Sequence, residues 1–181
     1  MTISSLWVGL IGAGTLLGLA GSLLVGKLSD QIGRRRLLLV DMYLLVLVSA
    51  AQLLTTNLAW TFVLRILAGL FMAVEYTAGN TLLIEWLPLK EGSRFQSRLV
   101  IYWVIGFIAA YATGASLTGA GPRSWIYMMV APAVPALLTA IFRSLAKLPT
   151  SPAWLVNQGH PEIAQRVIRK HLGKRFGLAR R

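Results

Sequence analysis

The chain has 181 residues, 56% of them apolar and only 13% charged, against about a quarter charged in an ordinary soluble domain, so a water-soluble globule is excluded. The net charge of +12 does not signal a nucleic-acid partner: nine of the 18 Lys and Arg fall between Arg143 and Arg181, and most others sit at the ends of apolar runs, with no basic face interleaved with base-stacking aromatics. There is no cysteine, which excludes disulfides and thiolate chemistry.

A helix needs about 20 apolar residues to cross a bilayer core, and five segments reach that length. The first, about Leu6–Val25, is too long for a signal-peptide core and has no basic leader, so it reads as a spanning helix. A charged turn follows in the stretch GKLSDQIGRRRLLL, Gly26–Leu39. Gly33 there allows a tight turn with positive φ, and Asp30 can accept hydrogen bonds from backbone donors and arginines. The second span is about Leu37–Leu54, followed by an uncharged connection at Thr55–Leu58. The third, about Ala59–Leu87, is overlong and holds Arg65 and Glu75, which predicts a tilted helix. After Lys90, Arg94 and Arg98 comes the fourth, about Leu99–Gly119, and after Arg123 the fifth, about Trp125–Phe142, where Pro132 and Pro135 predict kinks. Residues 1–148 thus form a helical bundle, and 149–181 a polar, basic tail. Trp154, Leu155, Ile163, Ala164 and Val167 lie at helical spacing in that tail, broken at Gly159 and Pro161, which predicts one or two amphipathic helices at the membrane surface.

Orientation follows from the positive charges. Lys27 and Arg34–Arg36 in the first connection, Lys90, Arg94 and Arg98 in the third, and the tail are cytoplasmic, so the N-terminus is outside and the C-terminus inside. Trp7, Trp60 and Trp125 then meet the outer interface and Trp86 the inner. Gly14, Gly18, Ser22 and Gly26 recur every four residues, a smooth stripe suited to close packing within the bundle or to a sliding contact with a second one. Arg65 and Glu75 stand about ten residues apart, roughly 15 Å along a helix, too far to pair with each other. Ionisable groups at membrane depth mark pathways and need partners.

The charged turn resembles the signature G-x-L-x-D-x-x-G-R-R/K-x-x-L of the major facilitator superfamily, through Gly26, Leu28, Asp30, Gly33, Arg34, Arg35 and Leu38. Arg65 and Gly69 in RILAG resemble the R-x-x-x-G of that fold's fourth helix, and MAVEYTAGNTLLIEWLP, with Glu75, Glu85 and Pro88, is similar to the segment that follows in sugar and organic-acid transporters. LPTSPAWLVNQGHPEIA resembles the P-E-S-P-R-W-L block of the sugar-porter branch, through Pro149, Ser151, Pro152, Trp154, Leu155, Gly159 and Ala164. Thr150 and Ala153 stand where that block carries an acid and an arginine, and Gly92 stands where a further arginine is expected.

The resemblance implies an all-α membrane protein: five transmembrane helices of a major-facilitator N-terminal half, followed by amphipathic cytoplasmic helices. It implies a multi-pass protein of the bacterial inner membrane, in contact with lipid and a small-molecule substrate. The expected activity is secondary active transport of a metabolite such as a sugar or organic acid, proton-coupled, by alternating access. Gly26, Asp30, Gly33, Arg34 and Arg35 are expected to form a conformational latch. Arg65, Gly69 and Glu75 are expected on the coupling and substrate pathway, and Glu85, Arg94 and Trp154 at a cytoplasmic gate. No cofactor and no metal is expected. Counting helices from the charged turn makes the chain a fragment whose missing partners are the first helix and the C-terminal half. One alternative is a non-transporting remnant or interaction partner of a membrane complex. The weaker one is a membrane-embedded enzyme, against which the only histidines, His160 and His171, lie in the basic tail.

Overall fold

The computed structural model describes residues 5–87, 92–146 and 148–173, so Pro88, Lys90 and Arg181 lie outside the described residues. Five helical stretches, Ser5–Ile32, Arg34–Leu54, Leu58–Trp86, Arg94–Leu117 and Ser124–Leu145, are long and apolar enough to cross a membrane. Three are built from shorter pieces. The first joins α1 (Ser5–Leu19) to α2 (Ser22–Ile32), and the second is α3 (Arg34–Ala51) ending in a 3-10 turn. In the third, α4 (Leu58–Val74) passes through a π-helical turn, Glu75–Gly79, into α5 (Asn80–Trp86). The fourth is α6 (Gly92–Leu117), and the fifth joins α7 (Ser124–Val130) to α8 (Ala133–Leu145). In the tail, α9 (Pro152–Asn157) and α10 (Pro161–Leu172) follow.

Several span ends differ from the sequence expectation, the second and fourth spans starting earlier at Arg34 and Arg94, and two of the differences move charged groups. The first helix runs seven residues past Val25 to Ile32, because Lys27, Asp30 and Gln31 end the apolar run without breaking a helix. The whole charged connection is therefore one residue, Gly33 at φ 96°, whose N–H still donates to the Ser29 carbonyl at 3.0 Å. The fifth helix runs past Phe142 to Leu145 and carries Arg143 inward from the tail. Of its prolines, Pro132 breaks the helix, while Pro135 sits in the first turn of α8, where a missing N–H leaves nothing unpaired.

Two positions of the glycine stripe pack within the bundle. A Cβ on Gly14 would lie 3.1 Å from the Cβ of Arg65, and one on Gly18 would lie 2.8 Å from the Cα of Gly69, so α1 and α4 cross backbone to backbone. Gly26 faces open space. α3 packs between α4 and α8, and two cores form there: Val25, Leu38, Ala73, Val74, Ala78 and Leu82 in one, Met42, Leu45, Ala68, Ala136 and Ala140 in the other. α6 stands apart, with none of its membrane-spanning window buried, and it meets the third span where Trp103 Nε1 donates to the Tyr76 hydroxyl at 2.8 Å. The tail docks on the bundle. Pro152 and Leu155 of α9 are buried, and α10 buries Ala164 and Ile168 while Ile163 stays exposed.

Candidate functional site

The π turn sets the geometry at mid-bundle. Side chains engage backbone carbonyls in it and just before it: Thr77 Oγ1 donates to the Ala73 carbonyl at the end of α4, and Asn80 Nδ2 donates to that of Tyr76 at 3.0 Å. An inserted residue re-aims the side chains around it, and π turns of this kind recur at functional positions. Here the turn begins at Glu75, which accepts both guanidinium N–H groups of Arg143, with the Nη2–Oε2 distance at 2.6 Å. Nη1 of Arg143 also donates to the Leu38 carbonyl at 3.2 Å and lies 3.9 Å from Oδ1 of Asp41. Such a fork-on-fork pair fixes both charges in one plane. The expectation that Glu75 needs a partner other than Arg65 is met by Arg143, a residue counted in the sequence with the basic tail. Asp41 also escaped notice there, although an acid seven residues past Arg34 in an apolar run is itself a signal of function.

Glu75 and Arg143 open onto a cavity of about 790 Å³ between the third, fourth and fifth spans and α3. Its polar groups are those two side chains with Asn80, Thr139, Tyr76 and Tyr102, set among Met42, Leu45, Met72, Leu99, Val100, Trp103, Pro132, Pro135 and Ala136. A mostly apolar hollow with a few convergent polar groups is the usual form of a small-molecule site, and this volume lies in the usual range.

Arg65 and Gly69, expected on the same pathway as Glu75, are not brought to this cavity. Both lie on the face of α4 that packs against α1, where Gly69 is buried against Gly18. Among the described residues Arg65 forms no ion pair, and its Nε is buried without a partner. The reason is register: residues four apart share a face of α4, whereas Glu75, six residues past Gly69, lies about 240° round the helix from it and meets Arg143 of α8.

At the other end the structure merges the expected latch and gate into one cluster. Nη1 of Arg34 pairs with Oε1 of Glu85 at 2.5 Å and donates to Oγ of Ser151 at 3.1 Å. Ser151 Oγ in turn donates to Glu85 and accepts the Trp154 N–H at 2.9 Å, capping α9. Trp154 Nε1 donates to the Asp30 carbonyl at 2.9 Å, and its ring covers Gly33, where a Cβ would lie 3.3 Å away. Both reasons for glycine at position 33, positive φ and the indole above it, act together. The Asp30 carboxylate is 72% exposed and, among the described residues, pairs with Arg34 alone, at 3.3 Å.

Three expected members stand outside this cluster. Gly26 touches nothing in it, the Nε of Arg35 is buried without a partner, and Arg94 is exposed and forms no ion pair with Glu85. Arg94 lies in the first turn of α6, the helix least packed on the bundle, so it has no surface to hold it near α5.

A sequence profile described as "Sugar (and other) transporter" matches residues 2–178. The chain is 32% identical over 174 residues to the inner membrane metabolite transport protein YgcS of Escherichia coli K12, covering 96% of this chain and 39% of that relative. In three dimensions it resembles the proton:xylose symporter XylE bound to 6-bromo-6-deoxy-D-glucose, at TM-score 0.83 and 21% identity, over 96% of this chain and 42% of that one. XylE from E. coli in a partially occluded inward-open conformation gives a TM-score of 0.81 at 22% identity, over 93% of this chain and 45% of the other. The chain thus spans about two-fifths of the curated relative it matches.

Proposed function

We propose a part in solute transport for this chain, which belongs to the sugar (and other) transporter family within the major facilitator superfamily. It is a multi-pass membrane protein. In our reading it supplies one bundle of a transporter for a small metabolite, a sugar or an organic acid, coupled to protons and working by alternating access. The observation that carries this reading is the Glu75–Arg143 pair on a π turn at the wall of a 790 Å³ cavity. A carboxylate and a guanidinium side by side offer acceptors and donors together, which suits the hydroxyls of a polyol or the carboxylate of an organic acid. The likeness in fold to a proton:xylose symporter and the sequence likeness to a metabolite transport protein support the same substrate range.

The cluster of Arg34, Glu85, Ser151 and Trp154 acts in this reading as a cytoplasmic clasp. It ties α9 to the turn between α2 and α3, so that movement at the inner mouth requires its bonds to exchange. Alternating access takes two bundles rocking about a central site, and the described residues make one. The unburied α6 favours a second reading, assembly with another membrane chain.

Equilibrium binding of labelled sugars, polyols and small carboxylates to the purified chain in lipid nanodiscs tests the proposal. One class should bind saturably. Glu75→Gln should weaken it about tenfold or more, the loss expected for a charge-assisted hydrogen bond. Absence of saturable binding across the panel, or equal affinity in Glu75→Gln, would sink it.

A further inference from the structure

We propose that Asp41 is the proton-binding group of this bundle, and that its proton decides whether Arg143 masks Glu75 or leaves it facing the cavity. The proposal rests on the reading of that cavity as a transport path. It begins with an accounting of charge. Asp41 and Glu75 are two carboxylates against the single guanidinium of Arg143, so full ionisation leaves one uncompensated negative charge inside the bundle. One proton removes it.

The geometry assigns that proton to Asp41 rather than Glu75. Glu75 holds two N–H groups of Arg143 and keeps 27% of its side-chain surface. Asp41 keeps 1% and stands 3.9 Å from Nη1, which is already shared with Glu75 and the Leu38 carbonyl. Oδ1 of Asp41 accepts the Met42 N–H at 2.7 Å, and Oδ2 is buried with no partner. An ionised oxygen left in that position is strongly disfavoured, whereas a protonated one becomes a donor. Glu75, the other carboxylate at the same Nη1 of Arg143, is the neighbouring acceptor. Glu75 from the π turn and Arg143 from α8 are the charged groups that face Asp41.

A metal ion is a poor occupant of the same place. The guanidinium at its edge repels a cation, and among the described residues no three His, Cys, Asp or Glu are grouped to hold one.

The consequence is a shared-cation switch. With Asp41 protonated, Arg143 stays forked on Glu75. When the proton leaves, the Asp41 carboxylate draws Nη1 across the remaining 3.9 Å, and Glu75 loses its partner beside the cavity. Proton occupancy and the charge presented to solute are thereby linked through one arginine, without a part for Arg65.

Infrared difference spectroscopy of the purified chain in lipid, on stepping from mildly acidic to mildly alkaline buffer, reads the proton directly. We expect a carboxylic-acid C=O band that disappears with the step, shifts in D2O, persists in Glu75→Gln and is absent in Asp41→Asn. Asp41→Glu, which keeps a carboxyl, should move the band rather than abolish it, so the assignment does not depend on one variant folding. No band in the wild type, a band unchanged in both Asp41 variants, or a band lost only in Glu75→Gln would overturn the proposal. No solute enters this assay, so its failure leaves the binding panel untouched, and failure of the panel leaves the band untouched.

Discussion

Removing the guanidinium of Arg143 exposes how much the mid-bundle pair contributes. In Arg143→Gln the Glu75 carboxylate is left beside the protonated Asp41 with no cation near it, and the Leu38 carbonyl loses the guanidinium as donor. Deleting one partner of a buried pair costs about 3–5 kcal/mol, because the other charge is stranded. The pair is not fully enclosed, with 19% of the arginine and 27% of the glutamate side chain exposed, so screening places the cost near the lower end, about 3 kcal/mol. For a chain of this size each kcal/mol moves Tm by about 2–4 °C, which gives a fall of about 6–12 °C. Adding Glu75→Gln removes the stranded charge, and the double variant should recover at least half of the loss. Thermal unfolding in detergent, followed by tryptophan fluorescence, measures both. A single variant that melts with the wild type, or a double variant that melts as low as the single, would refute the reasoning.

The helix crossing gives a paired test: Gly69→Ala places a Cβ 2.9 Å from the Thr15 carbonyl carbon and should cost about 1–3 kcal/mol, while Gly26→Ala meets nothing within 4 Å and should melt as the wild type does. Gly33→Ala combines a φ of 96° with the Trp154 ring at 3.3 Å, so it should lose about 1–3 kcal/mol and speed proteolysis between α8 and α9. Reporters that work on one side of the membrane should show Asn57 outside and the C-terminus inside, and a cytoplasmic signal at Asn57 contradicts that orientation. Reconstituted alone, the monomeric chain should give no uptake above empty liposomes, since alternating access needs two bundles; uptake by the monomer contradicts this.

The spans were legible because twenty apolar residues have few alternatives to crossing a bilayer. The turn at Gly33 was legible for a similar reason, since helix-forming polar residues interrupted by one glycine leave one place to reverse. Span ends shift because apolarity and helix need not stop together: α2 continues through Lys27 and Asp30, α6 begins before Arg94, and α8 carries Arg143 beyond Phe142. That last shift hid the partner of Glu75, since an arginine after an apolar run reads first as a positive-inside charge. The π turn could not be read at all. Thr77 and Asn80 bond carbonyls four residues back around it, which no helical period encodes. Motif resemblance put Arg65, Gly69 and Glu75 on one path, although the six residues from Gly69 to Glu75 turn a helix by about 240°. Ser151 was visible as a motif residue but not as the atom joining Arg34, Glu85 and Trp154 across the long sequence separation.

The central claim is that the hollow beside Glu75 and Arg143 is a water-filled solute path. The chain has no cysteine, so single substitutions report without background. Asn80→Cys and Thr139→Cys line the cavity, and Leu47→Cys, at an apolar side chain 64% exposed and outside the cavity lining, serves as the control. In intact membranes a water-soluble maleimide should label positions 80 and 139 rapidly and position 47 scarcely at all, and the solute found in the binding panel should slow the first two. Labelling at 80 and 139 as slow as at 47 would contradict the account.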